Sequence, residues 1–301
     1  MGRSIRVDTS AIKSPVKSLD FVTLRVKDAV CDVFREARGS RPDVDTQAPD
    51  VRIHVFLTQD EATFYLDTSG EPLFRRGWRA VRGEAPLREN LAAGILKLAG
   101  WATPAPLYDP MCGSGTFLVE AAMTALDIAP GLNRAFGFEK LENFDAGKWS
   151  ALRDSARARG KPVRALPIHG SDKSGNAIEL ARENLRAAGV ADAVTLKQMS
   201  MLDASPPADS GIMVMNPPYG ERTGEAEELA AFYPRLGDVL KQRFAGWTAY
   251  IFTADLRLPK LIRLAVSRRT PLYNGALECR LFKYELIAGS RRRVKQGTTD
   301  G

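Results

Sequence analysis

The sequence predicts an α/β protein: a Rossmann-like, mostly parallel sheet ending in an antiparallel hairpin, preceded by a small α/β segment. Three observations lead there. From Leu87 onward, helical and strand periodicities alternate, which implies crossover connections and a sheet covered on both faces. The last two strand-like runs flank Asn274-Gly275, a hairpin signal. The chain has 301 residues, 44% hydrophobic and 26% charged, an ordinary globular balance with length for one large domain or two smaller ones.

Taken in order, residues 5–7 have strand composition. Residues 21–36 read as a helix with Val22, Val26, Ala29, Val30 and Val33 on one stripe. Residues 51–57 and 62–66 alternate as strands around the turn Thr58-Gln59-Asp60-Glu61. One helix and about three strands within roughly 80 residues make a thin core. This segment is therefore expected to pack on the rest or to be the remnant of a larger domain. A glycine- and arginine-rich stretch up to Pro86 follows, in which Arg75, Arg76, Arg79 and Arg82 surround Trp78. Next come a helix at 87–99, a strand at 107–108 ending on Asp109, and an apolar helix at 115–126. An insertion at 130–161 contains an amphipathic helix at 145–159. Strands at 165–169, 194–197, 211–215 and 247–253 alternate with helices at 174–188, 225–243 and 258–266. The hairpin strands are 268–273 and 277–286, and the residues beyond read as a disordered basic tail. The implied division is 1–80, 85–288 and 289–301.

Composition removes several classes. No run of about 18 apolar residues is present, so no membrane helix is expected, and the N-terminus lacks the apolar core of a secretory signal. Cys31, Cys112 and Cys279 are odd in number and far apart, as in a reducing cytoplasm, and with only His54 and His169 beside them no metal site is expected. The net charge is +7, and residues 257–295 hold eleven Lys/Arg against two acids. So concentrated a basic excess points to a polyanionic partner, although Arg291, Arg292, Arg293 and Lys295 alone also read as a solvated tail.

Two motifs carry chemistry. Asp109-Pro110-Met111-Cys112-Gly113-Ser114-Gly115-Thr116 joins a strand to a helix. Its glycines allow a tight turn and a close ligand approach, and the amides opening the helix can receive an anion. It lacks the Lys-Ser/Thr of a P-loop and the third glycine of a dinucleotide fingerprint. An acid before the turn suits an ammonium-bearing ligand such as S-adenosylmethionine. Asp172 closes the next strand, where a carboxylate can accept both ribose hydroxyls, and the insertion explains its distance from the loop. Asp203 follows the third strand and can accept from an adenine amino group. Singly, each Asp also fits a turn or helix cap.

The second motif, Asn216-Pro217-Pro218-Tyr219-Gly220, follows an apolar strand. The prolines fix the corner and hold the residue before them extended. The Asn side-chain oxygen and a proline carbonyl become two acceptors for a planar NH₂ group, and Tyr219 can stack on its ring. The two corners must then form the walls of one pocket.

Asn-Pro-Pro-Tyr resembles motif IV of the amino-methyltransferases. Residues 109–122, Ala129-Pro130-Gly131 and residues 216–222 are similar to the THUMP-containing RNA guanine-N2 methyltransferases of RlmL type, and residues 50–53 and 66–79 to the second half of that family's THUMP region. The likeness runs from about Ile5 to Leu286, with the chain starting partway through THUMP and holding one methyltransferase half. It implies S-adenosylmethionine as cofactor and RNA, most often ribosomal, as substrate. By carry-over, Asp109, Pro110, Gly113, Gly115 and Thr116 hold the methionine end, Asp172 the ribose and Asp203 the adenine. Asn216, Pro217 and Tyr219 hold the base, with Asn216 shared with the cofactor side. Arg75, Arg76, Trp78, Arg79 and Arg222 are candidate RNA contacts, and Cys112 reads as packing, not a nucleophile. The alternatives are an adenine-N6 DNA methyltransferase, a protein-glutamine methyltransferase, and a non-catalytic RNA-binding assembly protein on the same fold.

Overall fold

Alternating β-branched residues at the N-terminus form strand β1 (Ile5–Ala11), which pairs in parallel with β2 (Val51–Leu57), Ile5 opposite Val51. Helix α1 (Leu19–Arg38) makes the crossover. Ser18 Oγ accepts the Phe21 amide at its start, and Gly39, at φ 73°, ends it. β3 (Ala62–Asp67) returns antiparallel on β2, giving the sheet order β1-β2-β3. Val7, Val55 and Leu57 form the small core beneath Leu19, Val22 and Val26. The apolar stripe of α1 differs from the expected one. Ala29 and Val33 face solvent, and Cys31 is the residue buried.

These are coordinates of a computed structural model, which describes residues 2–79, 87–218 and 225–287. Arg82, residues 219–222 and the basic tail therefore lie outside the described residues.

The chain divides into two units, the first made of Met1–Arg75 with Gly131–Ser155, the second of Arg76–Pro130 with Ala156–Gly301. The thin core anticipated for the N-terminal segment is thus supplemented by much of the insertion. Arg134 lies over the Phe136 ring and donates to the carbonyls of Ser69, Glu71 and Pro72, while the Phe138 amide reaches the Thr68 carbonyl at 3.0 Å. Phe136, Phe138 and Trp149 add an aromatic cluster, Phe138 meeting Trp149 edge-on at 4.9 Å. Trp149 sits on α4 (Ala146–Arg159), which has no fully buried residue.

The second unit starts with α2 (Glu89–Leu98), β4 (Leu107–Asp109) and α3 (Thr116–Ala125). β5 (Ile168–Asp172), α5 (Gly175–Ala187), β6 (Val194–Gln198), β7 (Gly211–Met215), α6 (Glu225–Arg243) and β8 (Trp247–Thr253) follow. α7 (Leu258–Leu261), β9 (Arg268–Asn274) and β10 (Leu277–Glu285) complete it. Its sheet order is β6-β5-β4-β7-β8-β10-β9, with β10 antiparallel to both neighbours and the other described pairings parallel. Alternation buries both faces. Val214, Phe252 and Leu281 join the layer of α2, α3 and α5, whereas Met213, Ile251 and Phe282 join that of α6.

β1 runs to Ala11 instead of ending at residue 7, α1 extends two residues beyond expectation at each end, and two later boundaries differ for a local reason. β5 begins at Ile168, after Pro167, which has no amide to give a ladder, and so runs through Asp172. α7 is one turn, because Arg263 takes φ 57° and breaks the periodic run that suggested a helix to 266. Among the described residues no helix is long and apolar enough to cross a membrane.

Candidate active site

The strand order sets the site. β4 lies between β5 and β7, so the chain goes one way from β4 to β5 and β6 and returns to the other side at β7. Open α/β sheets bind ligands at such a reversal, beyond the carboxyl ends of the strands. Asp109 ends β4, Asp172 ends β5, and Asn216 follows β7 directly. The register pairs Tyr108 with Met213, so the two corners leave the same end of neighbouring strands, about 4.8 Å apart.

The glycine loop is held from several sides. Gly113 and Gly115 take φ 50° and 76°, which glycine adopts without strain. A Cβ on Gly115 would stand 3.1 Å from that of Ala181, so the glycine also lets α3 close on α5. A Cβ on Gly113 would meet nothing within 4 Å and would project into open space over the loop. The Gly113 amide donates to Asp172 Oδ2 at 3.0 Å, and Ser174 N donates to Oδ1 at 2.9 Å. Residues 59 positions apart are thereby joined. Beneath them Tyr108 and Ser171 share a 2.7 Å hydroxyl contact.

Asp109 is 2% exposed and accepts the Met111 amide. Burial raises its pKa well above the usual carboxylate range, and the Asp172 charge adds to the rise. An ammonium group docking there would restore the ionised form. Affinity for S-adenosylhomocysteine, which carries that ammonium, is therefore expected to fall as pH is lowered through this raised range, and calorimetry across pH should show Asp109→Asn flattening the dependence. Cys112 is buried, and its thiol is likewise pushed up, which suits packing rather than attack.

Gly115 caps α3 without a side-chain hydrogen bond, leaving the opening amides of the helix for a ligand. Two carboxylates, these amides and the uncrowded glycine fit a molecule with an ammonium, a carboxylate and a ribose. If Asp172 accepts the ribose, Asp172→Ala is expected to weaken S-adenosylhomocysteine binding about tenfold or more, since it also releases the Gly113 amide. Calorimetry showing unchanged affinity would take Asp172 out of the site.

Asp203 is exposed, in the single turn Met201–Asp203, near the point where the Met199 amide joins the Asp172 carbonyl at 2.9 Å. Asn216 is half-buried, Pro217 buried and Pro218 exposed. Tyr219 and Arg222 lie outside the described residues.

Three of the arginine-cluster residues face inward, contrary to their reading as RNA contacts. Trp78 is 2% exposed. Arg76 reaches the buried Glu120 at 3.3 Å, and the Arg79 side chain, 9% exposed, reaches Glu89 at 2.7 Å. Their partners lie 44 and 10 residues away, so the sequence neighbourhood looked uncompensated. Arg75 remains half-exposed, paired with Glu71. Sequence reading missed Asn184, which donates to the Ser114 carbonyl at 2.9 Å. An Asn within the buried stripe Ile178, Ala181, Leu185 of α5 was the available signal.

Residues 76–283 match the family model described as "RMKL-like, methyltransferase domain", and residues 1–67 match that of the THUMP domain. The slr0064 protein of Synechocystis sp., which bears an RNA methyltransferase name, is 39% identical over 94% of this chain and 74% of its own. The ribosomal RNA large subunit methyltransferase K/L of Shewanella frigidimarina is 40% identical over 97% of this chain, which spans 42% of that relative's length. The crystal structure of the methyltransferase SMU.472 with S-adenosylhomocysteine superposes with a TM-score of 0.83 at 30% identity, covering 96% of this chain and 77% of the other.

Proposed function

Because the chain belongs to the RMKL-like methyltransferase family, with a THUMP domain ahead of the catalytic one, we propose that it methylates the exocyclic N2 of a guanine in RNA, the large-subunit ribosomal RNA named for its relatives. The observation that carries this reading is the emergence of Asp109 and Asn216 at the same end of adjacent strands. Its cofactor, S-adenosylmethionine, supplies an electrophilic methyl group. Asp109, Pro110, Gly113, Gly115 and Thr116 receive the methionine end, Asp172 the ribose and Asp203 the adenine.

Asn216 Oδ1 and the Pro217 carbonyl accept the two N–H bonds of the base amine. This fixes the amine's orientation and favours the charge that develops on nitrogen during transfer. Tyr219 stacks on the base. A base taken from a loop costs less to present than one from a duplex. We assign the chemistry to residues 85–288, apart from the stretch joined to the first unit, and RNA presentation to residues 1–80. Phosphate contacts fall to Arg75, Arg222 and the exposed Lys260, Arg263, Arg268 and Arg269.

Nucleoside mass spectrometry of ribosomal RNA incubated with the protein and labelled cofactor tests the reading. N2-methylguanosine is the expected product; labelled N6-methyladenosine, or no label, would overturn it. Binding to single-stranded RNA is expected to weaken roughly 300-fold over a fourfold rise in salt if Arg75, Arg222, Lys260, Arg263, Arg268 and Arg269 all contact phosphate. A salt-insensitive association would remove the basic residues from the interface.

A further inference from the structure

Ser114, in the middle of the glycine loop, is held at both its polar ends. Asn184 binds its carbonyl, and Arg79 Nη1 donates to its hydroxyl at 3.1 Å. Arg79 Nη2 donates to Thr116 Oγ1 at 3.0 Å and to the Leu87 carbonyl at 3.3 Å, while its Nε is engaged by Glu89. One planar guanidinium thus ties the loop, the first turn of α3 and the residue leading into α2.

Placing a cation at the start of a helix opposes the helix dipole. Burying Glu89 beside it adds a desolvation cost for both charges. An arrangement with those costs is hard to account for as packing, since apolar residues would fill the space more favourably. It does add, on the Ser114 and Thr116 side, to the bracing that Asp172 and Asn184 give a loop with two left-handed glycines.

We propose that Arg79 is a positioning residue for the cofactor. Through Ser114 and Thr116 it holds the loop in its binding conformation before the ligand arrives, and Glu89 keeps its fork aimed and its charge compensated. The proposal rests on the reading that this loop receives S-adenosylmethionine.

The test is calorimetric binding of S-adenosylhomocysteine to the full chain, with melting temperature measured in parallel. Arg79→Ala would strand Glu89 in the interior, so it does not separate positioning from folding. Arg79→Lys keeps the charge and loses the fork. The double replacement Arg79→Met with Glu89→Met removes the pair without leaving a buried charge. Both are expected to melt close to the parent and to bind about tenfold or more weakly, as for other losses of a supporting hydrogen-bond shell. Affinity within about twofold of the parent in whichever of the two folds would overturn the proposal. Asp172→Ala is the companion measurement. If it too leaves affinity unchanged, the loop assignment itself fails; if it alone weakens binding, only the role of Arg79 is lost.

Discussion

Asn216→Ala is expected to leave S-adenosylhomocysteine affinity within about threefold of the parent while lowering the rate of methyl transfer by about 10²–10³, the usual cost of removing one preorganised polar group from a reacting centre. Asn216 follows the carboxyl end of β7, across from the loop that follows β4, and the proposed function assigns its carboxamide to the base amine. The carboxamide is half-buried and lies outside the strand ladder, so its loss should leave the sheet intact. Single-turnover rates with saturating cofactor and RNA separate the two quantities. Parallel loss of binding and rate would instead make Asn216 part of the cofactor cradle, and an unchanged rate would remove the double-proline corner from the chemistry.

Gly237→Ala carries the largest expected loss of stability. Gly237 lies in α6 between the buried Leu236 and Leu240, and an added Cβ would come within 1.9 Å of the Ile262 carbonyl oxygen. That atom belongs to the backbone and cannot rotate away. A cost of about 3 kcal/mol is expected, at the upper end for overpacking. It corresponds to a fall of roughly 6–12 °C in melting temperature for a domain of this size. Gly94→Ala, in the middle of α2 where nothing lies within 4 Å, is the matched control and should be neutral or stabilising by about 0.5–1 kcal/mol. Equal melting temperatures for the two variants would refute the close approach of α6 to Ile262.

How much of this was legible depended on how local the governing physics was. Residues 211–215 and 247–253 announced themselves because strands buried on both faces need continuous apolar runs, and both are observed with those bounds. The hairpin around Asn274-Gly275 was equally local, with Gly275 at φ 70°. The helix expected at 258–266 failed because one left-handed residue, Arg263, interrupts a run whose periodicity was otherwise helical. Asp172 was recognised as a strand-end acid, yet its grip on the Gly113 amide needed two strands to be adjacent, which spacing alone does not encode. Arg76 and Arg79 beside Trp78 were misread for the same reason. A string of cations looks identical whether it meets phosphate outside or Glu89 and Glu120 inside, and only the fold brings those carboxylates near.

The return of residues 131–155 to the first unit has a consequence for how such a protein can be taken apart. The backbone passes from one unit to the other at three places, near 75, 130 and 155, so no single scission yields two whole modules. A fragment begun near residue 80 would keep the ring cluster of Phe136, Phe138 and Trp149 without the loop at 69–75 that Arg134 fastens, and would expose a greasy stump. A cut that respects both units must therefore be made at more than one of these places.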